Sequence, residues 1–230
     1  MTTTPLKSEG ILLLNKTCGC TSFDLVRQLR KITGISKIGH AGTLDPFASG
    51  LMVMLIGRNY TKMSDRFMSS DKAYRACIKL GEQTSTFDLE GEVTSESDYI
   101  PSLEEVEEAI KEQQGTKEQI PPMFSAKKVQ GKKLYELARK GITIERKPQL
   151  VTLETTLIRY DYPEIEIEVC CSKGTYIRAV ADEIGKKLSC GAHLKSLVRT
   201  RSGHFSLEEC SSLEALKQEP SNWYRFLRHL

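Results

Sequence analysis

The twelve residues from Gly39 to Gly50 read Gly-His-Ala-Gly-Thr-Leu-Asp-Pro-Phe-Ala-Ser-Gly. They hold three glycines, a proline, His40 and a single carboxylate, Asp45. Glycines allow a tight irregular backbone close to a ligand, and Pro46 steers Asp45 away from helix. A carboxylate on such a loop can act as nucleophile, as general base or as the stabiliser of a developing cation. The same composition also suits a plain turn in which Asp45 caps a neighbouring N–H. The G-x-x-x-x-G-K-[ST] phosphate loop is absent.

A second candidate is Cys171-Ser172-Lys173-Gly174-Thr175-Tyr176-Ile177-Arg178, at an expected strand-to-helix junction. Arg178 falls in the first helical turn, where the dipole disfavours a cation and an anionic partner is expected. Asp45 is one candidate partner, because a nearby guanidinium keeps a carboxylate ionised in a dry pocket. A solvent-facing arginine fits the residue types equally well. Tyr74 offers a flat ring for stacking on a base and a hydroxyl for proton transfer, or is simply a core tyrosine. His40 can stack on a nucleotide or make a local hydrogen bond.

These residues need elements to place them. Gly10–Asn15 is an apolar run that fits a buried strand. Thr21 or Ser22 can cap a helix with Leu25, Val26, Leu29 and Ile32 on one face. Leu51–Ile56 is strand or buried helix. Tyr74–Leu80 alternates as a half-buried strand should. Ser102 and Glu105 form a capping box for a helix burying Leu103, Val106, Ala109 and Ile110. Gln119–Pro122 reads as a loop. Lys132–Lys140 reads as a helix with Leu134, Leu137 and Ala138 inward, stopped by Gly141. Leu150–Ile158 and Glu164–Val169 are strands, and Thr175–Leu188 returns to helical spacing. The alternating polarity of the strands favours a mixed, mainly antiparallel sheet flanked by helices, an α+β fold.

The chain has 230 residues with 33 Lys and Arg against 30 Asp and Glu, and 39 % are hydrophobic. That mix excludes wholesale disorder. No apolar run approaches the roughly 20 residues of a membrane span, and Met1–Gly10 lacks the regions of a secretory signal. Seven cysteines without a C-x-x-C pair read as reduced thiols, so a cytoplasmic protein is expected. Zinc held by Cys18, Cys20 and His40 fails the usual ligand spacing. Charge is unevenly spread. Glu82 to Glu112 holds eleven acids and one base, whereas Lys127 to Lys147 holds eight bases and two acids. The basic block suits a polyanion or a merely solvated surface.

Several segments together resemble the TruB-type tRNA pseudouridine synthases. They are Gly39–Gly50, Cys171–Arg178, and Gly81-x-x-Thr84-x-Thr86-x-Asp88-x-x-Gly91. A fourth runs from Gln119-x-Pro121-Pro122 through Ser125-Ala126-x-Lys128 to Gly141. The fifth is Gly191-Ala192-His193-Leu194 with Leu197 and Arg199-Thr200. The matches run in family order and cover roughly residues 9 to 206.

The resemblance implies isomerisation of a uridine in the T loop of tRNA, uridine 55, to pseudouridine, with no metal or organic cofactor. The base must leave its stack to be reached. By the same resemblance Asp45 is the reacting carboxylate, Arg178 its partner, and Tyr74 packs on the base and assists loss of the C5 proton. Leu197 lines the uracil pocket, His40 contacts the T loop, and Lys16 supports the active-site loop and counts among the substrate-binding residues. An insertion over about residues 119–149 closes on the RNA, with Lys127, Lys128, Lys132 and Lys133 at phosphates. The tRNA T arm is the expected partner. No membrane or obligate protein partner is expected, and the chain is expected to be monomeric.

Some positions depart from the family. Asn15-Lys16-Thr17 stands where Asp-Lys-Pro is usual, Phe124 where tyrosine is common and Val198 where arginine is common. The chain is expected to be one catalytic domain, 1–230, with a helical tail over 207–230 in place of a full RNA-binding PUA domain. A non-catalytic RNA-binding protein is the main rival reading. A carboxylate hydrolase is the other, but it usually needs two catalytic carboxylates.

Overall fold

The two longest apolar runs pair with each other. In the computed structural model, strand β1 (Gly10–Lys16) leads through helix α1 (Ser22–Thr33) and the short strand β2 (Ile38–His40) to strand β3 (Ser49–Ile56). Strands β1 and β3 are antiparallel, Ile11 opposite Leu55 and Lys16 opposite Gly50. This partner settles Leu51–Ile56 as strand: its backbone groups bond across a ladder rather than along a helix. The structure describes residues 9–129 and 131–230, Lys128 in its backbone only. The reading of Met1–Gly10 therefore lies mostly outside the described residues.

The chain divides into two compact units, one formed by the residues up to Tyr74 with Val198–Leu230, the other by Arg75–Leu197. In the first unit, helices α2 (Arg58–Thr61) and α3 (Ser64–Met68) follow β3 and lead to the start of strand β4 (Lys72–Leu80). Helix α1 is capped by Thr21 and Asp24 in a reciprocal box and buries Leu25, Val26 and Leu29. Ile11, Leu13, Leu51, Val53 and Leu55 form a core with Phe67 and Phe205.

The second unit continues with β5 (Glu82–Thr84), β6 (Val93–Glu96), α4 (Leu103–Lys111), β7 (Gly115–Gln119), β8 (Lys128–Val129), β9 (Lys132–Lys133), α5 (Leu134–Ala138), β10 (Gln149–Asp161), β11 (Glu164–Cys171) and α6 (Ile177–Lys187). Strand β10 pairs antiparallel with both β11 and β7. Ile165, Ile167 and Val169 of β11 are buried, as their alternation with glutamates requires.

Strand β12 (Ala192–Ser202) carries the chain back into the first unit, where strand β13 (Phe205–Ser206) and helix α7 (Leu213–Gln218) close it. There Val198 and Arg199 pair parallel with Ser49 and Gly50, a parallel ladder among mainly antiparallel ones. The tail lies along β1: Ile11 N–H donates to Arg228 O (2.9 Å) and Ser211 N–H to Leu13 O (3.0 Å). It covers backbone that an edge strand would leave unpaired.

Four expectations are corrected. Leu103, expected inside, is 47 % exposed, because the buried stripe of α4 begins a turn later at Val106. The helix expected over Lys132–Lys140 shrinks to Leu134–Ala138, since Lys132 and Lys133 pair with Val129 and Lys128 in a hairpin turning at Gly131, φ 80°. Gln119 is the last residue of β7 and fully buried rather than a loop residue. The helix expected from Thr175 starts at Ile177, because the backbone at Tyr176 is extended. No helix among the described residues is long and apolar enough to cross a membrane.

Candidate active site

Asp45 is half-buried on its loop, and the residues on both sides of it are fixed from within the first unit. On one side, Ser22 Oγ accepts from Leu44 N–H (2.9 Å) and donates to Leu44 O (3.1 Å). On the other, Lys16 Nζ donates to Ala48 O (2.6 Å), Pro46 O (3.2 Å) and Thr17 O (3.1 Å). An ammonium has three donors, and all three of Lys16's go to carbonyls. Its side chain is fully buried. Lys16 thus ties the Asp45 loop to the end of β1. Burial pushes its pKa below the usual lysine range; Cys20, Cys18 and Asp45 oppose that shift and Arg199 adds to it.

Arg199 is the second buried cation here. Its Nε donates to Leu51 O (2.7 Å) and its Nη2 to Gly42 O (3.3 Å), so one guanidinium ties the start of the loop to the strand that follows it. Gly50 lies opposite Arg199 with φ 107°, and a Cβ there would collide with the Arg199 backbone. Glycine is the residue that permits both the positive φ and the close approach. Sequence reasoning named Arg199 in a motif without giving it a role, and passed over Ser22 as a helix cap.

His40 ends β2 opposite Met54. Burial lowers its pKa, the Arg199 cation lowers it further, and a Gly42 backbone hydrogen bond opposes both. The imidazole is thereby biased toward its neutral form, which suits stacking or hydrogen bonding rather than phosphate binding. Tyr74 is buried near the start of β4.

In the second unit Arg178 is the second residue of α6 and is buried. Its Nη1 lies 3.2 Å from Asp88 Oδ2 and donates to Thr86 O (3.1 Å); Nη2 donates to Phe124 O (2.7 Å). Asp88 is itself oriented, since its Oδ1 accepts from Thr86 Oγ1 (2.5 Å) and Glu90 N–H (3.1 Å). Thr84 Oγ1 donates to the Asp88 carbonyl (2.7 Å), and a Cβ at Gly91 would collide with Thr86. The Gly81–Gly91 motif is therefore a cradle for Asp88. Its spacing was legible in the sequence; its carboxylate's partner was not.

Gln119 fixes the start of α6. Its Oε1 accepts from Tyr176 N–H (2.8 Å) and its Nε2 donates to Tyr176 O (3.2 Å). Gln149 Nε2 donates to Gly174 O (2.6 Å), and Lys127 Nζ to Gln149 Oε1 (3.0 Å). Lys127 thus helps order the turn before α6. Lys132 is exposed, Lys133 reaches Tyr135 Oη (3.1 Å), and the Lys128 side chain lies outside the described residues. Leu197, on β12, is buried. Asp45, Tyr74, His40 and Lys16 belong to the first unit; Arg178, Leu197 and the lysines belong to the second. Among the described residues no group of three or more His, Cys, Asp or Glu could hold a metal ion, so Cys18, Cys20 and His40 form no such cluster.

Comparison with known proteins bears on this arrangement. Residues 30–177 match the TruB family pseudouridylate synthase N-terminal domain, and residues 178–226 the tRNA pseudouridylate synthase B C-terminal domain. The chain is 59 % identical over 91 % of its length to tRNA pseudouridine synthase B of Protochlamydia amoebophila, covering 80 % of that protein. It is 56 % identical over 88 % of its length to the protein of that name from Chlamydia pneumoniae, covering 86 % of it. Among solved structures it resembles a chain from the crystal structure of a Cbf5-Nop10-Gar1 complex, with a TM-score of 0.76 at 23 % identity. That match covers 98 % of this chain and 62 % of the solved one, and at this identity it speaks for the fold.

Proposed function

Since the chain belongs to the TruB family of pseudouridylate synthases, we propose that it isomerises uridine 55 in the T loop of tRNA to pseudouridine. The C1′–N1 bond breaks, the detached uracil turns, and a C1′–C5 bond forms; C5 gives up its proton and N1 gains one. The reaction is redox-neutral. The target nucleotide leaves its stack to expose C1′.

Asp45 supplies the carboxylate, which attacks C1′ or removes the C2′ proton; both roles need it ionised and held still. The observation that carries the reading is the double anchoring of Asp45 between Ser22-bound Leu44 and Lys16-bound Pro46. Such prior fixing lowers the cost of reaching a reactive geometry. In this reading Arg178 is the cation that keeps Asp45 ionised, Tyr74 packs on the base and assists loss of the C5 proton, and Leu197 lines the uracil pocket. His40 contacts the T loop. Lys127, Lys128, Lys132 and Lys133 provide positive charge for phosphates, which position RNA without reading its sequence.

The test is to incubate the protein with an unmodified tRNA transcript and map pseudouridines. One modified site in the T loop is expected. Tight binding without any modification would favour an RNA-binding protein instead.

A further inference from the structure

Helix α1 carries a second set of RNA-compatible groups, outside the motifs. Phe23 is 55 % exposed, unusual for a phenylalanine at the start of a well-capped helix. The guanidinium carbons of Arg27 and Arg30 both lie 5.9 Å from its ring centroid. Arg27, Arg30 and Lys31 are exposed and, with Phe23, follow the i, i+4, i+7, i+8 spacing of one helix face. From Ser22 to Lys37 there are four basic residues against one acid, Asp24. Asp24 bonds Thr21 in the cap and also pairs with Arg27.

Arg30 and Lys31 also complement the dipole at the helix C-terminus, which explains their sign there. The dipole explains neither an exposed aromatic ring in the first turn nor Arg27 beside it. The position of the stripe matters more. Phe23 follows Ser22, whose hydroxyl holds Leu44, the residue before Asp45. The row thus begins beside the Asp45 loop and runs about 12 Å along the helix.

We propose that the Phe23–Arg27–Arg30–Lys31 face of α1 is an RNA track, on which Phe23 stacks a base or ribose adjoining the target nucleotide and the three cations follow the phosphates beyond it. An aromatic flanked by guanidinium groups is the usual platform for unpaired nucleotides. A phosphate path gives the cations a reason to share one face. The proposal rests on the RNA-modifying reading and extends it to a surface outside the reacting residues.

The test compares the wild-type protein with Phe23→Ala, Phe23→Tyr and the triple change Arg27→Ala, Arg30→Ala, Lys31→Ala. The readouts are equilibrium binding to an unmodified tRNA transcript over a salt series, and kcat and KM for pseudouridine formation. Phe23→Ala should raise the dissociation constant and KM roughly tenfold with kcat within about twofold, and Phe23→Tyr should restore both. The triple variant should make the salt slope of log K shallower by about 2 to 3. All of these side chains are exposed, so thermal melting should stay near wild type. Unchanged RNA binding and salt slope in both Phe23→Ala and the triple variant would overturn the proposal and leave the face to a protein partner or to solvent. If the wild-type protein bound tRNA without modifying it, the enzymatic reading would fail while the binding arm still decided the track.

Discussion

Arg178 and Asp88 meet at 3.2 Å, both buried, with Asp88 also held by Thr86 and by the Glu90 N–H. Breaking such a pair from one side strands a charge in a dry interior. Asp88→Ala should therefore cost ~3 kcal/mol of stability and most turnover. Asp88→Asn keeps the shape and should retain more stability, with turnover still reduced. Urea unfolding and single-turnover assays on the two variants test this; unaltered turnover in both would show that Arg178 needs no oriented anion.

Asp45→Asn should leave the melting temperature and tRNA affinity near wild type and abolish pseudouridine formation. The loop is held through the backbone of Leu44, Pro46 and Ala48, so the shape survives loss of the charge. Nucleoside analysis of treated tRNA is the measurement. Arg178→Ala should lose turnover as well, through its proposed action on the ionisation of Asp45 and through loss of its bonds to Thr86 and Phe124.

Arg199→Lys tests the loop support. Lysine keeps the charge but cannot reach both Leu51 O and Gly42 O with a planar fork. A fall in kcat of roughly tenfold or more with little change in KM is expected, because the loop is misaligned rather than lost. An effect confined to KM would place Arg199 in binding instead.

His40 makes a pH prediction. Its ordinary pKa is 6.5, and burial with the Arg199 charge lowers it in the folded state. Well above pH 6.5 the ring is neutral whether the chain is folded or not, and it contributes almost no pH dependence. Below that value the unfolded chain takes up a proton that the folded one resists, so stability falls until the folded-state pKa is reached. Thermal melts from about pH 7 to pH 5 should show this slope. His40→Gln should flatten it.

Changing Lys127, Lys128, Lys132 and Lys133 together to alanine should weaken tRNA binding and make its salt dependence shallower. Lys127 also bonds Gln149, so a Lys127→Ala variant alone should lose some stability that Lys132→Ala does not. Calorimetry beside the binding titration separates the two effects.

Local pattern determined much of this protein. The capping boxes at Thr21 and Ser102, the alternation of Ile165, Ile167 and Val169, and the Gly39–Gly50 loop are short-range signals carried by neighbouring residues. The family likeness was legible for the same reason, as a string of closely spaced motifs. Tertiary structure decided what depends on distant partners. Leu51–Ile56 became strand because Gly10–Asn15 lies opposite it, and α6 starts late because Gln119, 57 positions earlier, binds Tyr176. Arg199 reaches Gly42 and Leu51, and Arg178 finds Asp88, across separations that no local periodicity encodes. A buried charge takes whatever partner the folded chain brings within about 3 Å, and only the completed packing selects it.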